Sequence, residues 1–273
     1  MAREPKNENA FQSVTGPIES WEELAEWVGG HNKINWIFRG ERQQGWPLKP
    51  KIGRSEYHNE KRGYTLDAEM WLLDQFKRKA RAYLALEVQP ESVWEWLALA
   101  QHHGLPTRLL DWTHSPLVAA YFAVEKDDRE KHAVVYASEI VNVIDPISDP
   151  EGPEKRSDPF ELIDDYNRFD APYISPRIIA QSGTFTIHKH PTARIRPEEM
   201  LDILLIHKDW CGDLKSFLNN LQINQETLFP DLDGISQNLI YQSQIRPQIW
   251  RGIRRWKRGT KGPISGKTDT GEN

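Results

Sequence analysis

The chain has 273 residues, 38% hydrophobic and 27% charged, with a formal net charge of -5; one sizeable core can be built from this, and the overall charge is not that of a nucleic-acid binder. A single cysteine, Cys211, excludes an internal disulfide framework and a multi-cysteine zinc site, and points to a reducing compartment, the cytoplasm. No apolar run approaches the roughly 18 residues needed to cross a bilayer, so neither secretion nor membrane insertion is expected.

In chain order, residues 1–17 carry no periodicity and read as a loose leader. Ser20 followed by Glu23 has capping-box spacing, and Trp21, Leu24, Ala25, Trp27 and Val28 make one apolar stripe before Gly29 and Gly30. Ile34, Trp36 and Phe38 then alternate with their neighbours, which predicts a strand ending near Gly40, with Arg39 on the face opposite Phe38. Residues 43–64 read as a long loop. A helix capped by Asp67 follows, with Met70, Leu73, Phe76, Ala80 and Tyr83 inward, and a second runs from Glu91 to His103, ended by Gly104 and Pro106. Ser115 and Pro116 open a short apolar helix through Val124. Ala133–Ala137, Ile178–Ile179, Thr184–His188 and Leu201–Ile206 are predicted strands, and two helices are expected between Asp213 and Tyr241. No regular βαβ period links them, so the fold class is α+β. Residues 18–245 are read as one unit. A basic tail, 246–273, follows, in which Arg246, Arg251, Arg254, Arg255, Lys257, Arg258 and Lys261 interleave with Trp250 and Trp256. Such a tail can hold a phosphate backbone while the rings stack, or be a solvated extension.

The stretch Gln101 to Ser115 packs glutamine, histidine, arginine, aspartate and hydroxyls into a linker between two apolar helices, more chemistry than a connection needs. Adjacent His102 and His103 point about 100° apart on a helix and cannot share one ion, so no metal is expected. Neither has a serine or cysteine nucleophile beside it, which argues against a hydrolase. Arg108 either holds a ligand or fixes the loop through Asp111. Arg39, a strand-end arginine before Gly40, can present a planar charged fork to a phosphate or carboxylate, the glycine letting a ligand approach; a salt bridge to Glu41 or Asp111 is the structural alternative.

Phe38-Arg39-Gly40, the run QHHGLPTRLLDWTHSPLVAAYFA from Gln101 to Ala123, Arg177 with Gln181 to Phe185, and Leu228 to Gly234 together resemble the FRG-domain family over roughly residues 20–240. That family is in turn similar to the ADP-ribosyltransferases, which implies an ADP-ribosyltransferase-like split mixed sheet flanked by helices and NAD as the substrate cofactor, without a metal. The resemblance assigns catalytic roles to Arg39, Asp111, Thr113 and Gln181, and cofactor contacts to Phe38, Gly40, Arg108, Trp112 and Tyr121. In it Arg39 grips a phosphate or the ribose, Arg108 holds the second phosphate, Thr113 positions the nicotinamide ribose, Trp112 or Tyr121 stacks on nicotinamide, and Asp111 supplies charge or a base. Gln181 stands where a glutamate is usual, so Asp111, Glu41 or Glu139 would have to supply the acid.

What the resemblance implies about activity is transfer of ADP-ribose to a macromolecule, in a toxin with a neutralising antitoxin partner or in defence against phage; the basic, tryptophan-bearing tail favours RNA over DNA or protein as the acceptor. The competing expectation is a module that binds a nucleotide or RNA without chemistry, its affinity falling steeply with salt.

Overall fold

The structure, a computed structural model, describes residues 13–58, 61–84, 89–126, 130–140, 143–144, 158–161, 165–172, 175–195 and 201–245. The basic tail and most of the expected leader lie outside these residues. The elements are β1 (Val14–Ile18), α1 (Trp21–Gly30), β2 (Trp36–Glu41), α2 (Leu66–Ala80), α3 (Val93–His102), β3 (Leu109–Thr113), α4 (Pro116–Val124), β4 (Ala133–Glu139), β5 (Val143–Ile144), β6 (Tyr166–Phe169), α5 (Pro176–Ala180), β7 (Gly183–His188), β8 (Leu201–Ile206) and α6 (Cys211–Asn220). A second compact unit begins at Gln225 and contains α7 (Gln225–Leu228) and α8 (Leu232–Ile245).

One eight-stranded mixed sheet, ordered β1-β8-β4-β2-β3-β7-β6-β5, organises the first unit. Its two outermost pairs, β1 with β8 and β5 with β6, are parallel and the inner pairs antiparallel. Because side chains alternate along a strand, Leu109, Asp111 and Thr113 share one face of β3 while Leu110 and Trp112 share the other. The first face builds a core of Leu109, Phe169, Phe185 and Ile187 under Trp94, Leu97 and Ile178 from the helices. The opposite face joins Leu110 and Trp112 to Ile37, Val134, Tyr136, Ile203 and Leu205.

The helix starts follow from local chemistry. The Ser20 hydroxyl accepts from the Glu23 N–H at 3.3 Å while the Glu23 carboxylate accepts from the Glu19 N–H at 2.9 Å, a reciprocal cap. Ser92 and Glu95 repeat the device at α3, and Ser115 caps α4 with Pro116 in its first turn.

Five expectations are corrected. Val14–Ile18 is a paired edge strand, not leader. Thr65, not Asp67, caps α2, its hydroxyl accepting from the Ala68 N–H. Met70 and Tyr83 are exposed instead of inward. Ile178–Ile179 belongs to a helix, because Ser175 and Pro176 supply a helix start. The expected linker at 109–113 is a central strand. In the second unit the Leu228 to Gly234 motif makes the α7–α8 turn, where the Gly234 N–H donates to Asp231 Oδ1 at 2.7 Å.

One buried group makes the first unit acid-sensitive. Trp112 Nε1–H donates to Thr186 Oγ1 at 3.0 Å, and that hydroxyl lies 2.9 Å from His188 Nε2. Burial, with Arg108 and then Arg39 adding repulsion, pushes His188 down to about 3. The folded ring is thus neutral where the unfolded ring, with an ordinary value near 6.5, takes up a proton. Stability is fully present above about pH 6.5 and is lost as pH falls toward 3. Denaturation midpoints between pH 8 and pH 5 should drop more in the wild type than in His188→Gln, which cannot titrate; parallel curves would contradict this.

Candidate functional site

The site begins with a break in strand pairing. β2 pairs with β4 along its whole length, from Trp36 opposite Glu139 to Glu41 opposite Val134, yet pairs with β3 only at Phe38 opposite Thr113. Beyond that point the two strands part, and a cleft of about 390 Å³ opens, lined by both strands and the start of β7. That volume lies in the usual range for small-molecule sites.

α4 closes one side of the opening. A Cβ built on Gly40 would lie well inside van der Waals contact with the Ala119 carbonyl oxygen and 2.7 Å from the Ala123 nitrogen. Gly40 therefore admits the helix backbone, not a ligand as expected, although it does line the cleft. Phe38 lines it too, but with 2% exposure it is a core residue packed edge-on to Trp27.

Arg39 fills the gap between the parted strands. Its Nη1 donates to the Asp111 carbonyl at 2.6 Å, and its Nε and Nη2 lie 2.8 and 2.7 Å from Glu41 Oε1. Burial works against the charge, but Glu41 and Asp111 outweigh it and hold the guanidinium above its ordinary value. The Asp111 side chain stays 61% exposed. One of its oxygens, Oδ2, accepts from Gln101 Nε2 at 3.0 Å and stands 4.0 Å from Arg39 Nη1. The Gln101 amide is itself fixed, because Thr107 donates to its Oε1 at 2.7 Å.

The Thr113 hydroxyl is buried and donates to the Gln181 carbonyl at 2.7 Å while accepting from the Ser115 N–H at 3.0 Å. It fastens the end of β3 to the α5–β7 turn, in which Gln181 ends α5 and Ser182 takes a positive φ of 46°. Arg39, Asp111, Thr113 and Gln181, from three separate segments, thus line one cleft.

Three expected cofactor contacts do not reach the opening as imagined. Arg108 is 1% exposed and bound at Nε and Nη2 by Glu69 at 3.1 and 2.9 Å, with further bonds to the Pro159 carbonyl and the Tyr64 hydroxyl. This buried ion pair is structural, and its partner is Glu69, not Asp111. Tyr121 is buried in α4, and its neighbour Phe122 faces the cleft instead. Trp112 borders the cleft but is 4% exposed, its indole committed to Thr186, so neither ring offers a free face for stacking. Glu41 lines the cleft, whereas Glu139 pairs with Lys33 at 3.8 Å at the other end of β2. His102 shares a 3.3 Å contact with the Ser175 hydroxyl, and among the described residues no three His, Cys, Asp or Glu could hold one metal ion.

Sequence reasoning missed Arg42, Trp46 and Arg177 as cleft residues. Arg177 stands out in the sequence only as part of a motif, and Arg42 and Trp46 sit in a stretch without periodicity.

A family model described as the FRG domain matches residues 34–132. The chain carries an FRG domain. The match runs from the residues before β2 to those before β4, so the FRG domain includes the two parted strands with Arg39 and Asp111, and α4 behind them. Arg177 and Gln181 lie beyond it. No curated protein and no solved structure matches the chain.

Proposed function

We propose that the cleft binds NAD and that the protein transfers ADP-ribose to a macromolecular acceptor, RNA before DNA or protein, in a toxin or anti-phage setting with a neutralising antitoxin. The observation that carries this reading is the convergence of Arg39, Asp111, Thr113 and Gln181 on one opening between the parted strands, the arrangement implied by an ADP-ribosyltransferase-like split sheet.

The reaction needs a fixed cation for the diphosphate and a carboxylate beside the ribose. The acceptor's lone pair forms a bond to ribose C1 as the C1–N bond to nicotinamide breaks, and its electron pair neutralises the ring nitrogen. Positive charge builds on the sugar in between, so a preorganised negative charge lowers the barrier. Asp111 presents the exposed carboxylate and takes the acceptor's proton; Gln101 holds its other oxygen. Glu41 lines the cleft with its carboxylate paired to Arg39, so Asp111 carries the negative charge that the neutral Gln181 does not supply. Thr113, with its hydroxyl engaged, acts by holding Gln181 in position.

The purified protein, incubated with adenylate-labelled NAD and total RNA, DNA or lysate protein, should label the RNA fraction, and Asp111→Asn should cut the rate by about 100-fold or more. Label absent from every fraction, or unchanged in Asp111→Asn, would sink the transfer reading. A second reading, nucleotide binding without chemistry, is favoured by the shortage of catalytic carboxylates: Gln181 is neutral and the Glu41 charge is committed to Arg39. Binding of NAD without turnover would select it.

A further inference from the structure

Trp112, expected as a stacking ring for a nucleotide, is buried, and a different tryptophan stands at the mouth of the cleft. Trp46 lines the cleft, is 39% exposed, and carries the Arg42 guanidinium 5.0 Å from its ring centroid. The turn that presents it is anchored on both sides. The Gln44 N–H donates to the His132 carbonyl at 2.9 Å, Gly45 takes a φ of +93° that redirects the chain, and Leu48, 2% exposed, is buried in the core while its carbonyl accepts from the Ile195 N–H. A large apolar ring is therefore held at a concave opening by neighbours that are themselves fixed, which lowers the entropic cost of stacking.

We infer that Trp46 is the stacking platform for the planar base of a bound nucleotide, with Arg42 on the same rim facing its phosphates. Resting on the nucleotide reading above, the inference adds which end of the cleft takes the ring. A π-face accepts any base, and Arg42 against the indole makes the pair attractive to an anion at its edge. The ring is either the adenine or the nicotinamide of the dinucleotide.

Binding of ADP, nicotinamide mononucleotide and ribose 5-phosphate should be measured calorimetrically on the full chain, for the wild type, Trp46→Ala and Trp46→Phe. Trp46→Ala should weaken whichever base-bearing ligand uses the platform about tenfold or more, leave ribose 5-phosphate unchanged, and be largely rescued by Trp46→Phe. The ligand that loses affinity identifies the ring. Equal affinities of wild type and Trp46→Ala for both base-bearing ligands would overturn the inference while leaving a nucleotide site intact. Equal weakening of ribose 5-phosphate would also overturn it, because a general distortion would then be at work. Absence of binding by the wild type to all three would remove the nucleotide reading, and this inference with it.

Discussion

Replacing Gly40 by alanine is expected to cost the fold about 3 kcal/mol and to abolish the cleft's function. The added methyl would meet the Ala119 carbonyl oxygen, the Ala123 nitrogen and the Ala119 carbonyl carbon at once. All three are backbone atoms, so no rotamer change relieves the contact; α4 must lift from β2 or β2 must twist away. Either movement displaces the neighbouring Arg39 and changes the opening it spans. Gly29, where an added Cβ meets nothing within 4 Å, is the control: Gly29→Ala should be neutral or stabilising by up to about 1 kcal/mol, since alanine is the better helix residue. Urea denaturation of both variants checks the pair. A Gly40→Ala protein as stable as the wild type would show that the close approach of helix and strand is not as described.

Arg108→Met should be comparably severe, about 3 to 5 kcal/mol, for an electrostatic reason. Glu69 and Arg108 are each 2% exposed at the side chain, and the guanidinium also satisfies Tyr64 and the Pro159 carbonyl and packs 4.5 Å from the Phe160 ring centroid. Removing the cation leaves a carboxylate buried without its countercharge. The nearby Tyr64 phenol, which burial and then Glu69 already push well above its ordinary value, would lose the Arg108 charge that opposes that shift. The double variant Arg108→Met, Glu69→Met removes both charges and should recover much of the loss. A double variant no more stable than Arg108→Met alone would show that packing, not charge, sets the cost. Because the pair lies away from the cleft lining, residual folded Arg108→Met should still bind whatever the wild type binds; a phosphate-gripping Arg108 predicts the opposite.

The elements legible in the sequence were those whose signals are local. Ser20 with Glu23, and Ser115 with Pro116, fix helix starts within four residues, and the alternation at Trp36 to Phe38 fixes β2. β3 was not legible because Leu109, Leu110 and Trp112 are buried on both faces of a central strand while Asp111 turns outward, which leaves a five-residue run without clean alternation. β1 was hidden because Gly16 and Pro17 are turn residues; an edge strand tolerates them. Ile178 and Ile179 are β-branched and read as strand until the Ser175 cap is weighed.

The convergence of Arg39, Asp111, Thr113 and Gln181 came from the family resemblance, since nothing in local spacing brings residues so far apart in the chain to one opening. The same limit explains the misplaced arginine. Arg108 and Glu69 are 39 positions apart, and a polar residue in a motif looks the same whether it faces a ligand or a buried partner. Trp46 was passed over for the converse reason, because an aromatic in a nonperiodic segment announces neither core nor site until its exposure is known.

The most direct measurement of the central claim is the crystal structure of the protein soaked with NAD. Density for the dinucleotide should lie between β2 and β3, with its diphosphate within hydrogen-bonding reach of Arg39 or Arg42 and ribose C1 facing the Asp111 carboxylate. Density elsewhere on the surface, or an unoccupied opening at saturating NAD, would contradict it.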